Sequence, residues 1–332
     1  MNTQTVTAVY AGNTQIGYGM IIMVTAFIAS MMMTLSLCPV REDGEVARFR
    51  IKFSLFLYII LSAVFALYLG RFIHWYSHYE SYESLYAAFS SMEGSFHEAG
   101  IVIGAFIASF ISAGISGKKY KAKFLSASSA GIMLFMTLMS LTSMFNESDR
   151  GKAVIEEPFY QGLPFSYPTL TSAGTSEYRT SVFFWKFMIL ALITVIAVIG
   201  CIKAKSALRT YVMYFCAMAL LDSARYDASF LRSNGFVSLM QIVAGVFLLI
   251  TVLACTGKLI SDRRFKAGHL LYILAFLLGL SLTGFMEYYV QRHGNLYIKC
   301  YAEMAVACTV MAVSVIGLHN SSLKQNKQIK RK

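Results

Sequence analysis

The chain has 332 residues, of which 57% are hydrophobic and 14% are charged, and its mean hydropathy is +0.58. A soluble domain carries roughly 25% charged and about 45–50% apolar residues, so this composition excludes an ordinary soluble protein and indicates an integral membrane protein. The formal net charge is +12. It does not indicate a nucleic-acid-binding surface, because the Lys and Arg residues lie in short clusters between apolar runs.

Nine apolar stretches have about the length, ~20 residues, that crosses the ~30 Å hydrocarbon core of a bilayer. They are approximately residues 17–38, 51–72, 98–116, 124–145, 182–202, 207–222, 236–257, 268–288 and 300–318. The sixth is the shortest. The sequence therefore predicts an all-α polytopic membrane protein with about nine transmembrane helices.

Basic residues occupy every second connecting segment. Twenty of the 29 Lys and Arg residues lie in residues 39–52, 117–123, 203–209, 258–267 and 321–332. Residues 73–97, by contrast, contain none. The positive-inside rule makes the basic segments cytoplasmic, with the N-terminus outside and the C-terminus inside. Residues 1–16 carry no charged side chain and no cleavage motif, so we expect no cleaved signal peptide.

Ionisable side chains gather where the predicted helices reach the outer side. Arg71 ends the second helix, and His97 and Glu98 open the third, where such groups are costly unless something pairs or uses them. Neighbours on a helix point apart, so Glu98 is not expected to orient His97 directly. Arg71 also has a simpler interpretation, an arginine that reaches the headgroups. Tyr18, at the outer end of the first helix, also has a simpler interpretation, because tyrosine is common at membrane interfaces.

The third helix is rich in small residues, and Gly100 and Gly104 form a GxxxG pattern. Small residues let membrane helices approach closely, so we expect this helix to be central in the bundle. The loop from about residue 146 to about residue 178 is the longest external one, and it contains three prolines and several aromatic residues. A loop of this length more often has a function than none.

The sixth helix is predicted to extend to about Arg232, with Asp222, Arg225 and Ser229 on one face. A self-contained ion pair between Asp222 and Arg225 is the alternative to a functional arginine. The last two predicted helices form a hairpin with few polar residues, notably Glu287, which indicates a scaffold.

Neither cysteines nor histidines suggest a metal site. The six cysteines lie in or beside apolar runs without metal-ligand spacing, which favours buried free thiols. His74 and His78 lie near Glu80 and Glu83, but the histidines lack the intervening glutamate of the metalloprotease motif. We therefore predict no metal and no cofactor.

Taken in order, these landmarks resemble the prolipoprotein diacylglyceryl transferase family. The matching positions are Tyr18-Gly19, Gly70-Arg71, Glu93-Gly94-Ser95-Phe96-His97 with Gly100 and Gly104, Asn146, Gly151, Arg225 and Ser238-Leu239-Met240-Gln241. The resemblance covers residues 16–257. It divides the chain into a transferase-like membrane domain (1–257), an additional helical hairpin (258–320) and a basic cytoplasmic tail (321–332).

The resemblance implies transfer of the diacylglyceryl group of phosphatidylglycerol to a cysteine thiol of an exported pre-lipoprotein, at the outer face of a bacterial plasma membrane. The partners would be phosphatidylglycerol, or a similar phospholipid, and a pre-lipoprotein signal peptide. It implies catalytic roles for His97, Arg225 and Tyr18, with His97 as the base. It implies lipid-phosphate binding by Arg71, Arg225 and Asn146, and supporting roles for Glu93, Ser140, Gly151 and Gln241.

The sequence departs from the family pattern at several positions. His97-Glu98-Ala99 stands where the family has His-Gly-Gly, Ser140 where it has an arginine, and Leu221 where it has a tyrosine. These departures leave a second hypothesis, a divergent non-catalytic relative that binds phospholipid or assists another membrane protein. A transporter is the third. Transporters usually place ionisable residues near the bilayer midplane, whereas here these residues lie at one rim.

Overall fold

A computed structural model of the chain describes residues 8–11, 14–38, 45–90, 96–146, 148–171, 174–202, 207–230, 235–292 and 297–323. Most of these residues are helical, and eight helices are long and apolar enough to cross a membrane. A helix is the favoured form for an apolar span because it satisfies its backbone hydrogen bonds within the segment. The chain is thus an all-α polytopic membrane protein, which confirms the predicted fold class.

The helices follow the predicted apolar stretches. They are α1 (Tyr18–Leu37), α2 (Glu45–Ser77), α3 (Leu85–Ser90), α4 (Glu98–Ile115), α5 (Lys121–Met139), α6 (Ser143–Asn146), α7 (Val182–Ile202), α8 (Ala207–Ser223), α9 (Leu239–Ser261), α10 (Ala267–Arg292) and α11 (Tyr297–Leu323). The short helices α3 and α6 lie at the ends of long ones. Single 3₁₀ turns at Tyr79–Ser81, Ser140–Thr142 and Pro158–Tyr160 connect or extend them.

The sixth predicted span, residues 207–222, corresponds to α8, but the helix lacks the predicted extension to about Arg232. α8 has 17 residues, at the lower end of the range that crosses a bilayer, and it is not among the eight candidate spans. The helix stops at Ser223 rather than continuing to about Arg232. Residues 224–230 form turns and irregular backbone, with an isolated bridge between Phe230 and Ser238. The prediction that Asp222, Arg225 and Ser229 share one helical face is therefore wrong, because α8 ends before Arg225.

Two antiparallel hairpins are the only sheet structure in the described ranges. β1 (Ala8–Ala11) pairs with β2 (Thr14–Gly17) immediately before α1. β3 (Ser166–Leu170) pairs with β4 (Ser176–Thr180), with Ser166 opposite Thr180 at its base. The second hairpin lies in the long loop that precedes α7, so this loop is ordered.

Contacts between helices divide the chain into two compact units, with the boundary between Thr210 and Tyr211, inside α8. In the first unit α2 packs along α4, and α5 packs against α1, α4 and α7. In the second unit α11 packs against α9 and α10. The division at residue 257 comes from the family resemblance and stays a prediction.

The contact between α2 and α4 depends on two glycines. A Cβ atom on Gly100 would lie 2.3 Å from the carbonyl oxygen of Leu69, and one on Gly104 would lie 2.5 Å from the backbone of Phe65. Only residues without a side chain allow two helix backbones to approach so closely. The small residues of this helix thus allow a close approach. The central position expected for α4 is held instead by α5, which packs against α1, α4 and α7, whereas α4 packs mainly against α2 and α5.

We expect Gly104→Ala to lower stability by roughly 1–3 kcal/mol, the usual range for overpacking, because the new methyl group would overlap the α2 backbone. Gly114→Ala is the matched control on the same helix, since a Cβ there meets no atom within 4 Å. It is expected to leave stability unchanged or to raise it slightly, as alanine is the better helix former. Thermal unfolding midpoints in detergent check this, and equal midpoints for the two variants would contradict the close approach.

Candidate functional site

Arg71 lies near the C-terminal end of α2, and its side chain turns into the protein. The residue is only 5% exposed. Its Nε donates a hydrogen bond to the carbonyl of Ala88 at 2.6 Å. The guanidinium carbon lies 5.5 Å from the ring centroid of Tyr82 and 5.9 Å from that of Phe96. Aromatic faces attract cations, so this end of the first unit holds a buried positive charge in an aromatic setting.

His97 is the N-cap of α4. Its Nδ1 accepts a hydrogen bond from the backbone N–H of Ala99 at 3.3 Å, and so satisfies one of the donors exposed at a helix start. A ring nitrogen that accepts an N–H carries no hydrogen, which assigns the hydrogen of the neutral imidazole to Nε2. The resemblance implies a base at this position. In this arrangement Nε2 carries the hydrogen of the neutral ring, and the role of His97 as a base stays a prediction.

The structure brings together the segments that carry the arginine and the histidine of the predicted site. The backbone N–H of His97 donates to the carbonyl of Gly70 at 3.0 Å, and the neighbouring Phe96 ring faces Arg71. The end of α2 and the start of α4 therefore form one local structure. The predicted supporting residue Glu93 lies outside the described residues.

Tyr18 and Asn146 occupy the same end of the first unit. The Tyr18 ring, at the start of α1, lies 5.2 Å from the ring of Phe145 in α6. Asn146 is exposed, and its Oδ1 accepts hydrogen bonds from the Ser148 hydroxyl at 2.7 Å and from the Ser148 backbone N–H at 3.3 Å. These contacts fix Tyr18 against the end of α6 and give Asn146 a local role in the turn that follows it.

The contacts of Ser140 and Gly151 are structural. Ser140 is buried, and its hydroxyl donates to the carbonyl of Thr137 at 2.6 Å. The backbone N–H of Gly151 donates to the carbonyl of Thr180 at 2.8 Å. A Cβ on Gly151 would lie 2.3 Å from the Thr180 hydroxyl oxygen. Gly151 therefore allows the loop after α6 to pack against the end of β4.

A buried ion network joins three segments at this same end. Lys186 lies one turn into α7 with only 1% of its side chain exposed, and its Nζ contacts carboxylate oxygens of both Asp149 and Glu98. The Nζ to Asp149 Oδ2 distance is 2.9 Å. The Ser143 hydroxyl donates to the same Asp149 oxygen at 3.1 Å. Glu98 thus has a specific partner on another helix.

Arg150 places a second buried cation beside this network. The residue is 2% exposed, and its Nη1 donates to the carbonyl of Ser143 at 2.9 Å. Its guanidinium carbon lies 4.6 Å from the ring centroid of Tyr167 and 5.0 Å from that of Phe183. Ser140 stands where the resemblance would place an arginine, and Lys186 and Arg150 supply positive charge at this end of the unit.

The sequence offered a signal for Lys186 that the prediction did not use. A lysine within an otherwise apolar span is unfavourable unless a partner neutralises it, so Lys186 predicts a buried carboxylate nearby. The spacing along the chain did not identify that partner. Asp149 is 37 residues away and Glu98 is 88 residues away.

Arg225 belongs to the second unit and is held by two aspartates. Its Nη1 donates to Asp222 at 3.0 Å, while its Nε and Nη2 donate to the two oxygens of Asp227 at 3.2 and 3.1 Å. The ion pair between Asp222 and Arg225 is the alternative that the sequence left open, and it is present. These three hydrogen bonds use three of the five N–H donors of the guanidinium.

Gln241 links α9 to the C-terminal hairpin. It completes a capping box with Ser238 at the start of α9, and its Nε2 donates to the carbonyl of Ala219 at 3.1 Å and to Glu287 at 2.8 Å. Glu287 is 2% exposed and also accepts a hydrogen bond from Gln291 at 2.9 Å. The hairpin formed by α10 and α11 therefore contributes a buried carboxylate to this polar cluster, and the scaffold role expected for it stays a prediction.

All six cysteines are buried, and none forms a disulfide, as the sequence predicts. Burial raises the pKa of the Cys38 thiol to about 12, so the reactive thiolate is scarce there at neutral pH. Among the residues that the structure describes, no group of three or more His, Cys, Asp or Glu side chains is placed to hold a metal ion.

The chain matches no protein-family model, no curated protein and no solved structure. The resemblance to the diacylglyceryl transferases therefore depends on the sequence motifs, and any assignment of function depends on the site geometry.

We expect Lys186→Met to lower the free energy of unfolding by about 3–5 kcal/mol, because it leaves a buried carboxylate without its cation. Most of this effect should come from Asp149, since the Glu98 side chain is 27% exposed and the Asp149 side chain only 3%. Unfolding in detergent, followed by circular dichroism, measures the loss.

The double variant Lys186→Met/Asp149→Asn is the control for the Lys186 experiment. It removes the unpaired charge, and asparagine tolerates the left-handed backbone of this position, where φ is +55°. The double variant should be more stable than the single one. A double variant that is no more stable would show that the ion pair is not what Lys186 contributes.

Proposed function

We propose that this chain binds a phospholipid headgroup at the end of the first unit and transfers the diacylglyceryl group to a cysteine thiol of an exported protein. The observation that supports the proposal is the junction of α2 and α4, which holds the Arg71 guanidinium beside the Phe96-His97 segment. A guanidinium suits phosphate recognition, and an imidazole N–H is a further donor for an anion.

The proposed reaction forms a carbon–sulfur bond and breaks a carbon–oxygen bond. A cysteine thiolate attacks the glycerol carbon that carries the phosphate, and glycerol phosphate leaves with the electron pair of the broken bond. The thiol proton must go to a base, and the departing phosphate needs positive charge or hydrogen-bond donors. In the first unit Arg71 is the candidate for holding the phosphate, and Tyr18 is a further hydroxyl donor at the same end.

His97 has two possible roles in this scheme, and the structure bears on both. In the arrangement described, Nε2–H donates to the phosphate and Nδ1 remains bonded to Ala99. To act as the base, the imidazole must present an unprotonated Nε2 to the thiol. The hydrogen of the neutral ring must then sit on Nδ1, so the 3.3 Å hydrogen bond from the N–H of Ala99 has to be released. A long hydrogen bond of this kind is weak, so the exchange is accessible.

A second candidate function is phospholipid binding without turnover. Two observations favour it: Nδ1 of the His97 imidazole already accepts a hydrogen bond from the N–H of Ala99, and Arg225 is already paired with Asp222 and Asp227. In both functions the site lies at the outer face, with the N-terminus outside. The bacterial plasma membrane is the location that both imply.

His97→Asn separates the chemistry of the imidazole from its capping role. Asparagine is a good N-cap residue, so the variant should insert and unfold like the parent chain. It has no titrating nitrogen, so transfer should fall by about 10²–10⁴-fold, the usual contribution of a positioned acid or base. Transfer of a labelled diacylglyceryl group from phosphatidylglycerol to a cysteine peptide measures this. Normal turnover by His97→Asn would rule out the assignment.

Arg71→Gln should reduce the amount of phosphatidylglycerol that copurifies with the chain, because it removes the buried cation. Arg71→Lys keeps the charge and is the matched control, expected to retain more lipid than Arg71→Gln. Mass spectrometry of extracted lipid provides the measurement.

Lipid and transfer together in the parent chain support the transferase. Copurified lipid without transfer supports the phospholipid-binding protein. If no lipid copurifies and no transfer is measured, transport is the remaining hypothesis.

A further inference from the structure

The long loop before α7 presents an aromatic turn, residues 158–165, to its surroundings. Four large apolar side chains in it are exposed, and Phe159 is the most exposed at 84%. The others are Tyr160, Leu163 and Phe165. Their rings are in contact with one another, with Phe159 5.1 Å from Tyr160 and Tyr160 5.3 Å from Phe165. A contiguous apolar surface of this kind commonly marks a site of interaction with a protein or a membrane.

The backbone of the aromatic turn is held by its own hydrogen bonds. The Ser166 hydroxyl donates to the carbonyl of Tyr160 at 2.6 Å and accepts from the N–H of Gly162 at 3.0 Å. The N–H of Phe165 donates to the carbonyl of Gly162 at 3.0 Å. The rings are therefore presented outward by an ordered segment, which lowers the entropy lost when they bind.

The aromatic turn is tied to the start of a membrane span. The backbone N–H of Ser181 donates to the carbonyl of Phe165 at 3.0 Å, and α7 begins at Val182. Three residues into that helix Trp185 is 40% exposed. Tryptophan and tyrosine concentrate where a helix enters a bilayer. The exposed surface of the turn is thus continuous with the entry of α7 into the membrane.

We infer that the aromatic turn inserts its rings into the headgroup region of the leaflet at this end of α7. Residues 153–178 contain no Lys or Arg, and Glu156 and Glu157 precede the turn. Attraction to anionic lipid therefore does not hold the segment, and apolar and aromatic contact does. The inference is independent of the proposed transfer reaction, and it concerns how the loop above the candidate site is anchored.

The same loop contains an internal control, Leu170, at the far end of the hairpin formed by β3 and β4. Leu170 ends β3 and is 63% exposed. It lies four residues from Ser166 at the base, a separation of about 13 Å at the usual rise of a strand. Two exposed apolar residues of one loop are therefore expected to meet different surroundings, with Phe159 in lipid and Leu170 in water.

Tryptophan fluorescence in vesicles tests the inference. The chain has two tryptophans, and Trp75→Phe/Trp185→Phe gives a background for single reporters. Phe159→Trp and Leu170→Trp are compared in full-length chain reconstituted into phosphatidylcholine vesicles, with and without lipids brominated near the headgroup end of the acyl chain. Aqueous iodide is the second quencher. Tyr160→Trp serves as the reporter if Phe159→Trp does not fold.

The expected result is strong quenching of Phe159→Trp by brominated lipid with protection from iodide, and the reverse for Leu170→Trp. Equal quenching of the two reporters by brominated lipid would overturn the inference. So would access of iodide to Phe159→Trp. Protection of Phe159→Trp from both quenchers would show that protein covers the turn, and that result also overturns it.

Discussion

Lys186 places an ammonium group inside an apolar helix, and this is tolerated only where carboxylates accompany it into the protein. Asp149 comes from the loop after α6 and Glu98 from the start of α4. One buried cation therefore fixes how three segments meet at one end of the first unit. Because Glu98 follows His97 directly, the same network holds the start of α4, where the candidate site lies.

Packing rather than charge determines the contact between α2 and α4. Gly100 and Gly104 let α4 lie directly on the backbone of α2. That approach carries Arg71 to the Phe96-His97 segment. The charged groups of the candidate site therefore lie at helix ends, while small, apolar and hydroxyl side chains fill the interior between helices.

The described cations differ in what surrounds them. Lys186 and Arg225 are bonded to aspartates, whereas Arg71 and Arg150 lie against aromatic rings. The proposed recognition of a headgroup in the first unit depends on Arg71, with the Nε2–H of His97 as a second donor.

The sequence by itself determined the membrane class, eight of the spans, the buried thiols and the close packing around Gly104, because length, hydropathy and residue size act locally. It did not determine that α8 ends at Ser223 or that Glu287 is buried against Gln241. Only the tertiary structure selected the partners of Lys186. A buried charge requires a counter-charge, but which carboxylate provides it depends on which helix ends pack together, and residues far apart in the chain meet only there.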